Sequence, residues 1–407
     1  MKKVDKMTKI RDPQHWRARA ENSIAHGALT NSKRPSAFVD GVYPTHITHG
    51  NGAHVWDHTG KKYLDFCCAN GTNLVGYGNT AIAQAAYDAI RSGSLFSLGS
   101  TLEVEAAEKV QEMLPWIERL RFLKTGSEAC LAAIRIARAA TGRKLVLSEG
   151  YHGWGDEFVS LTPPAYGCMR GEMLTLRDLE HVTEDIAAVI VEPVMIDAGP
   201  DRRKWLKKLK ERCNDKGAVL IFDEIITGFR WPKYSVAGDW GIRPDLSLYG
   251  KAMAGGLPLS VVGGQRELME CSDEYFVSTT FGGDRASLAA FMAMAHLLHS
   301  HEYRLGELWE TGRKFLDQFN AISDLVQIEG YPTRGVFRGH PEMLAKFWQE
   351  CCKAGILFGS SWFWAFPHMA EQNVIEVCEE AIWKIKRGVE LEGRLPKSPY
   401  AARVRSK

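Results

Sequence analysis

Residues 119–149 read RLRFLKTGSEACLAAIRIARAATGRKLVLSE, and this stretch decides the fold class. A short apolar run, RLRFL, leads into a long segment whose small and apolar residues recur at helical spacing. A second apolar run, LVLSE, follows directly. A strand, a helix and another strand in close succession are typical of a βαβ unit with parallel strands. The stretch therefore predicts an α/β protein.

The same alternation continues along most of the chain. Helical stretches separate further short apolar runs, among them IAAVIVEPV, AVLIFDEI and LSLYGK, which are typical of strands buried on both faces. After about residue 300 the pattern changes to helices mixed with strand-like pieces. We therefore predict an N-terminal segment at 1–59, a large domain at 60–300 with a mostly parallel central sheet flanked by helices, and a smaller α+β domain at 301–407.

Composition narrows the possible partners. Lys and Arg number 51 against 49 Asp and Glu, a formal charge of +2, so the chain lacks the basic field of a nucleic-acid-binding protein. No window supplies the roughly 18 apolar residues of a membrane span. The nine cysteines include two adjacent pairs without metal-site spacing, and their odd number argues against a disulfide framework. We expect a cytoplasmic protein without a metal that acts on small molecules.

A candidate phosphate site lies where the first quoted strand meets its helix. Thr125, Gly126 and Ser127 offer two hydroxyl groups, a glycine that permits close approach and the free N–H groups of a helix start. The same residues would also serve as an ordinary helix N-cap. The motif alone does not decide between these interpretations.

Two of the apolar runs end at an acidic residue. Asp223 ends the run AVLIFD and Glu192 ends VIVE, where an ionised carboxylate is costly without a partner. A protonated pyridine nitrogen would be such a partner for Asp223. A strand-end Asp that caps a loop or the next helix is the alternative.

Lys251 follows the run LSLYG and is surrounded by glycines, as in GKAMAGG. A lysine at the end of a buried strand can lose its proton through desolvation, as bond formation with an aldehyde requires. A solvated loop lysine is the simpler interpretation of this residue alone. Tyr151 and His152, after the strand RKLVLSE, add an aromatic face for stacking a ring. Together these residues fall at carboxyl ends of strands, where open α/β sheets bind ligands.

The ordered motifs TGSEA, GYHGW, VEP, FDEIITGFR, YGKAMAGGLPL and STTFGG resemble the class III aminotransferases of the fold-type I pyridoxal 5′-phosphate (PLP) family. Within that family the chain is most similar to glutamate-1-semialdehyde 2,1-aminomutase-like proteins, over roughly residues 35–385. The resemblance implies PLP as cofactor, a large PLP-binding domain, and an N-terminal segment that contributes to the small lobe and to dimer contacts. It implies an obligate homodimer whose substrates are an amine donor and a carbonyl acceptor.

Matching motif by motif, the resemblance implies a role for each candidate residue. Lys251 becomes the Schiff-base lysine and general base, and Asp223 the partner of the ring nitrogen. The other cofactor-binding candidates are phosphate ligands, ring contacts and their neighbours: Gly126, Ser127, Tyr151, His152, Glu192, Ile225 and Thr280. Thr280 implies a phosphate contact that the neighbouring subunit donates.

Two departures favour transfer between molecules over intramolecular rearrangement. The aminomutases carry Trp-Gly where this chain has Asn70-Gly71, so a large aromatic wall is missing. They also carry a longer gating segment with Gly-Asn-Pro, where this chain has Gly283-Asp284. We expect an aminotransferase with ping-pong kinetics, and keep an aminomutase as the alternative.

Three other classes of function stay open at this stage. A lysine-dependent aldolase or decarboxylase would share Lys251. A nucleotide-binding protein is suggested by Gly76-Tyr77-Gly78, although the glycine pattern is incomplete and no phosphate-loop signature occurs. A catalytically inactive relative is disfavoured because Lys251 and Asp223 are both present.

Overall fold

The computed structural model describes residues 13–161, 165, 167–169, 171–271, 276–300 and 304–397. The chain divides into two compact units. The first consists of Met1–Asn70, Leu74–Asn79 and Glu307–Lys407, and the second of Gly71–Asn73 and Thr80–Gly306.

The strands and helices follow one another in short alternation, as the apolar runs indicate. The strands are β1 Ile47–Asn51, β2 His54–Asp57, β3 Lys62–Asp65, β4 Arg119–Leu123, β5 Leu145–Glu149, β6 Met173–Thr175, β7 Ile186–Val191, β8 Val219–Asp223, β9 Leu246–Tyr249, β10 Ser260–Gly264, β11 Val326–Tyr331, β12 Arg334–Gly339, β13 Ile356–Leu357 and β14 Ser361–Phe363. The helices are α1 Pro13–Ser23, α2 Thr80–Arg91, α3 Thr101–Met113, α4 Gly126–Thr141, α5 Asp156–Val159, α6 Pro200–Lys216, α7 Val236–Trp240, α8 Arg266–Glu270, α9 Arg285–His299, α10 Leu305–Ile322, α11 Pro341–Lys353 and α12 Val374–Lys386.

The second unit contains a seven-stranded sheet in the order β4-β10-β9-β8-β7-β5-β6. The strands β9, β8, β7, β5 and β6 run parallel to one another. Strand β10 is antiparallel to both β4 and β9. Every residue of β7, β8, β9 and β10 is buried, as their continuous apolar runs require. The predicted mostly parallel sheet flanked by helices is confirmed.

Helix α4 packs on this sheet through a stripe of small and apolar residues. Ala129, Ala133 and Ala137 are completely buried, and they belong to one core cluster with Ile221 and Leu248 of the strands. Alanines on this face let the helix axis approach the sheet closely. The start of α4 is therefore held firmly above the carboxyl ends of the strands.

The first unit contains two small sheets. The order β1-β2-β3-β13 includes an antiparallel hairpin of β2 and β3, and β13 adds to β3 in parallel. The order β11-β12-β14 forms the second sheet. Because β2 and β3 pair, the hairpin stays in one compact unit, whereas the predicted boundary at 59/60 divides it. The three-part division stays a prediction.

Gly76 and Gly78 serve close packing inside the first unit. A Cβ atom on Gly76 would lie 2.6 Å from Cγ of Pro367, and one on Gly78 would lie 3.2 Å from the carbonyl oxygen of Gly50. Tyr77 pairs with Gly52 as an isolated bridge. Helix α2 begins at Thr80, just after Gly78, but Tyr77 forms only an isolated bridge and not the strand that a nucleotide-binding loop would follow.

None of the described helices combines the length and apolar character needed to cross a membrane.

Candidate active site

A pocket of about 330 Å³ lies at the carboxyl ends of the strands of the second unit. Every candidate residue from the sequence except Thr125 and Thr280 lines it. The lining consists of Thr72, Lys124, Gly126, Ser127, Tyr151, His152, Gly153, Glu192, Asp223, Ile225, Ile226, Lys251, Gly256, Leu257, Pro258 and Leu259. These residues come from sequence positions up to nearly 190 apart, which the parallel strands bring to one edge of the sheet.

The start of α4 forms one wall of the pocket. Thr125 is the N-cap, and its hydroxyl accepts a hydrogen bond from the backbone N–H of Glu128 at 3.2 Å. Glu128 Oε2 accepts in return from the backbone N–H groups of Thr125 at 2.7 Å and Lys124 at 3.0 Å. The capping box uses the N–H of Glu128 and leaves those of Gly126 and Ser127, at the helix start, as the groups that could bind an anion.

Two glycines are needed where the chain crowds this wall. A Cβ atom on Gly126 would lie 2.6 Å from Cδ1 of Ile225, and one on Gly153 would lie 2.1 Å from Oγ of Ser127. Gly153 also has a φ of +96°, which favours glycine. Ser127 Oγ accepts from the backbone N–H of Trp154 at 3.3 Å. The turn at Thr125–Ser127 is therefore a helix N-cap, and the same turn can also serve as a phosphate site.

Asp223 ends β8 and is buried, with partners on both carboxylate oxygens. Oδ1 accepts from the backbone N–H of Ile225 at 3.0 Å. Oδ2 lies 2.7 Å from Nδ1 of His152 and 3.4 Å from Sγ of Cys130, which donates its S–H. Burial alone would lower the pKa of His152, but the hydrogen bond and charge of Asp223 outweigh it and leave that pKa raised.

The side chains of Cys130, His152 and Asp223 offer ligand atoms that lie within 4.8 Å of one another, a grouping that would suit a metal ion. Their separations of 2.7 and 3.4 Å are those of direct hydrogen bonds, and the three groups satisfy one another without an ion. We interpret them as a hydrogen-bonded network.

Lys251 follows β9 and opens a short 3₁₀ turn, Lys251–Ala254. Its backbone has a φ of +44°, in the left-handed region. Burial lowers the pKa of its amine, although the charges of Asp223 and Glu192 act in the opposite direction. A buried amine with a lowered pKa is available as a nucleophile and as a proton acceptor.

Glu192 and Tyr151, which follow the ends of β7 and β5, are connected by a hydrogen bond. Oε1 of Glu192 accepts a hydrogen bond from the backbone N–H of Tyr151 at 2.9 Å. Gly150, with a φ of +114°, has its Cα so close to this carboxylate that a Cβ atom would lie 2.9 Å from Oε1. The Tyr151 ring is 54% exposed in this single chain and lines the pocket. Glu192 thus fixes the backbone that presents the ring.

Thr280 is exposed and lies in the turn before α9, outside the set of described residues that line the pocket. The turn is anchored at its far end by Asp284, whose Oδ2 accepts from Nζ of Lys124 at 3.0 Å and from Oγ of Ser287 at 2.6 Å. A contact with the phosphate of a neighbouring subunit stays a prediction for Thr280.

The two departures from the aminomutase pattern have distinct settings. Asn70 lies in a left-handed turn with Cys68 and Ala69, and its amide donates to Oγ of Ser32 at 3.1 Å. In the altered gating segment, residues 272–275 lie outside the described residues. Gly283 and Asp284 are described, and Asp284 is the N-cap of α9.

Sequence reasoning missed several residues of the pocket. Lys124 adjoins a recognised motif, and its amine donates to the carbonyl oxygen of Pro258 at 3.2 Å. Cys130 does not line the pocket but contacts Asp223, which does, and its position four residues after Gly126 places it on the same face of α4. Thr72 and Gly256 have no comparable signal, because they reach the pocket through loops.

The residues present suit PLP. The pocket combines a helix N-terminus for a phosphate, a carboxylate for a ring nitrogen and a buried amine for an aldehyde. The glycines whose Cβ atoms would clash show that the walls are closely packed around this space. A ligand with a phosphate, a ring nitrogen and an aldehyde could bind the helix start, the carboxylate and the amine at the same time.

Comparison with known proteins agrees with this chemistry. The Aminotransferase class-III family model matches residues 37–174 and 167–362. Glutamate-1-semialdehyde 2,1-aminomutase of Methanococcoides burtonii is 35% identical over 288 residues, which cover 64% of this chain and 68% of that protein. The 3-aminobutyryl-CoA aminotransferase of Cloacimonas acidaminovorans is 32% identical over 335 residues, which cover 79% of this chain and 80% of that protein.

Solved structures show the same fold. A β-phenylalanine aminotransferase from Variovorax paradoxus is 25% identical, with a TM-score of 0.79 over 92% of this chain and 94% of its own. The FumI protein of Sphingopyxis sp. MTA144, in its PLP internal aldimine form, is 24% identical, with a TM-score of 0.85 over 92% of this chain and 96% of its own.

These similarities confirm the fold-type I architecture and PLP as the cofactor that the sequence predicts. The family model covers well over half of the chain, and a curated relative above 30% identity spans more than two thirds of it. The chain therefore belongs to the class III aminotransferases and is a PLP-dependent enzyme.

Proposed function

We propose that this enzyme transfers an amino group from an amine or amino-acid donor to a separate carbonyl acceptor. The donor product leaves before the acceptor binds, which gives ping-pong kinetics. The observation that carries the proposal is one pocket that unites a buried amine of lowered pKa, a buried carboxylate and a capped helix N-terminus.

Each predicted residue has a role in holding the cofactor under this proposal. Gly126, Ser127 and the first turn of α4 would hold the phosphate. Asp223 would pair with the ring nitrogen, and Lys251 would hold the aldehyde carbon. The remaining pocket residues contact the ring or support those contacts: Tyr151, His152, Glu192 and Ile225. When bound, PLP supplies an electron sink through which the amino group can move.

Lys251 is proposed as the proton carrier of the reaction. Its buried amine, released when a donor amine replaces it, can accept a proton at Nζ and return it to a neighbouring carbon. Its lowered pKa enlarges the neutral fraction of the amine, because burial disfavours the ammonium form.

Intramolecular transfer is the second candidate, since the relatives include a glutamate-1-semialdehyde 2,1-aminomutase. Against it stands the polar residue Asn70 at the position of an aromatic wall, together with the helix-capping Asp284 in the altered segment. A donor labelled with ¹⁵N separates the two: an aminotransferase moves the label to an added carbonyl acceptor, whereas an aminomutase leaves the added acceptor unlabelled.

We further propose a homodimer in which Thr280 completes the partner's site. Supporting this is a set of apolar side chains, exposed in the single chain, from α2, α3 and the segments that precede α3 and α9. They are Tyr87, Ile90, Phe96, Leu98, Val104 and Phe281, each more than half exposed. Such apolar surface is uncommon on a free monomer. A cytoplasmic location is also proposed, in keeping with nine cysteines that are all unpaired.

The direct test of the cofactor assignment is spectroscopic. Purified protein supplied with PLP should absorb visible light, and borohydride should fix the cofactor to Lys251, as peptide mass spectrometry would show. Lys207→Ala, an exposed lysine of α6, is the matched control and should behave like the native chain. Absence of visible absorption, or labelling at a different lysine, would refute the assignment.

Amine donors can be ranked by the loss of this visible band when each is added without an acceptor. Recovery of the band with a carbonyl compound then identifies the acceptor. The two half-reactions should be separable, as ping-pong kinetics requires.

A further inference from the structure

The hydrogen bonds around Asp223 give a buried cysteine a function. An ionised carboxylate has about four lone-pair positions. On Oδ2 both are occupied by side chains, Nδ1 of His152 at 2.7 Å and the S–H of Cys130 at 3.4 Å. On Oδ1 the backbone N–H of Ile225 occupies one, at 3.0 Å. Among the described residues, the position left over is therefore on Oδ1.

Both side-chain partners of Oδ2 act as donors. His152 Nε2 lies 3.1 Å from the carbonyl oxygen of Glu149, which can only accept. Its Nδ1 faces an ionised carboxylate, which also only accepts, so both ring nitrogens carry protons. Burial and the nearby charge of Asp223 raise the pKa of Cys130 well above its ordinary value, so the thiol keeps its proton.

We propose that Cys130 is a positioning residue for the reaction: its S–H, together with His152, saturates Oδ2 of Asp223 and so directs the free lone pair of Oδ1 to the ring nitrogen of PLP. This inference rests on the proposed role of Asp223. It extends that role by assigning the group that orients the carboxylate.

Helix α4 gives the proposal its geometric basis. Cys130 lies one helical turn after Gly126 and Ser127, the proposed phosphate ligands, and it is completely buried. Its neighbours Ala129 and Ala133 pack α4 on the sheet. One rigid helix thus sets both the phosphate position and the orientation of the ring-nitrogen partner. A donor on a packed helix is held more accurately than one on a loop.

The first test uses Cys130→Val, which keeps an apolar side chain but removes the donor, and Cys130→Ser, which keeps a donor. Each full-length variant is stripped of cofactor and titrated with PLP labelled with ¹⁵N in the ring. Cys130→Val should weaken PLP binding about fivefold, the effect of losing one hydrogen bond of ordinary strength. It should also move the ring ¹⁵N resonance toward that of an unprotonated pyridine. Cys130→Ser should restore most of both losses.

Cys213→Val is the matched control, because Cys213 is equally buried, in α6, whereas the thiol that donates to Asp223 is that of Cys130. It should leave PLP affinity and the ¹⁵N resonance unchanged. In an Asp223→Ala background, which removes the acceptor, Cys130→Val should cause no further loss of affinity, because the two residues act as a unit. An unaltered ¹⁵N resonance in Cys130→Val, or an equal loss in both backgrounds, would overturn the proposal and leave Cys130 as a packing residue.

A second measurement needs no cofactor. The infrared S–H band that disappears in Cys130→Val should shift to higher frequency in Asp223→Ala, since the hydrogen bond is lost. A band that does not shift contradicts the Cys130 contact whatever PLP does. A band that shifts in a protein that never binds PLP would instead sink the proposed function while the contact stands.

Discussion

Two buried histidines in this chain are held in different charge states by their partners. Both ring nitrogens of His152 face acceptors, Asp223 Oδ2 and the carbonyl oxygen of Glu149, so the ring is doubly protonated. In His368, Nδ1 accepts from the backbone N–H of Ala365 and Nε2 donates to the carbonyl oxygen of Asp65, both at 3.0 Å. That ring is neutral, and burial lowers its pKa to about 4.

The neutral His368 makes the stability of the protein depend on pH in a defined direction. In the unfolded chain its pKa returns to about 6.5, so the unfolded state binds the extra proton between pH 6.5 and about 4. The contribution of His368 is therefore complete above pH 6.5 and is lost as the pH falls toward 4. We expect a loss of about 3 kcal/mol of unfolding free energy from this residue over that interval.

His368→Gln should remove this dependence, since an amide can accept and donate in place of the two ring nitrogens without titrating. Denaturant unfolding of the native chain and the variant, repeated across the interval, gives the difference. Parallel curves for the two proteins would show that His368 does not titrate in this way.

Asp223→Ala should remove the negative charge opposite the ring nitrogen and reduce turnover about 100-fold or more, as expected when a preorganised electrostatic partner is lost. Steady-state kinetics with a working donor and acceptor measures the effect. Asp215→Ala, an exposed carboxylate of α6, serves as the control and should be neutral. Full activity of Asp223→Ala would show that another group supports the ring.

At the scale of elements, the capping box of α4 connects stability with cofactor binding. Glu128 accepts from the backbone N–H groups of Thr125 and Lys124, the residues that lead into the proposed phosphate site. Removing the carboxylate frees both N–H groups and loosens the turn.

Glu128→Ala should therefore cost about 1 kcal/mol of unfolding free energy, the usual value of a helix cap. It should also weaken PLP binding, because the first-turn N–H groups are no longer held in place. Glu108→Ala, exposed on α3, is the comparison. If Glu128→Ala is less stable but binds PLP with unchanged affinity, the capping box does not contribute to phosphate binding.

The sequence predicts elements well where local patterns are strong. The strand ends at Leu123, Asp223 and Tyr249 follow from apolar runs that stop at polar or glycine residues. The antiparallel insertion of β10 between β4 and β9 has no local signal, because strand order depends on packing between distant segments. The contact between Cys130 and Asp223 likewise has no local signal, since the two residues lie 93 positions apart.

At the scale of the whole molecule, the proposed dimer makes Thr280 act in trans. Thr280→Ala should weaken PLP binding, and mixed dimers can show which subunit is affected. We expect a dimer of one Lys251→Ala chain and one Thr280→Ala chain to contain one complete site, built from the intact Lys251 of one chain and the intact Thr280 of the other.

Such mixed dimers, purified with two affinity tags, should bind PLP at that site as tightly as the native protein. Thr280→Ala homodimers should bind more weakly, and this comparison is the measurement. If mixed dimers bind PLP as weakly as Thr280→Ala homodimers, Thr280 contacts the phosphate of its own chain. Native affinity in Thr280→Ala homodimers would remove Thr280 from the site.

The left-handed backbone conformation at Lys251 lowers the stability of the fold at the residue that the proposed reaction needs. A side chain there costs about 1–2 kcal/mol that glycine avoids. Since glycine loses more chain entropy on folding, Lys251→Gly should be more stable than Lys251→Ala by about 1 kcal/mol or less in denaturant titrations. The lysine thus occupies a position where glycine would be the more stable residue, so the proposed chemistry and the stability of this turn favour different side chains.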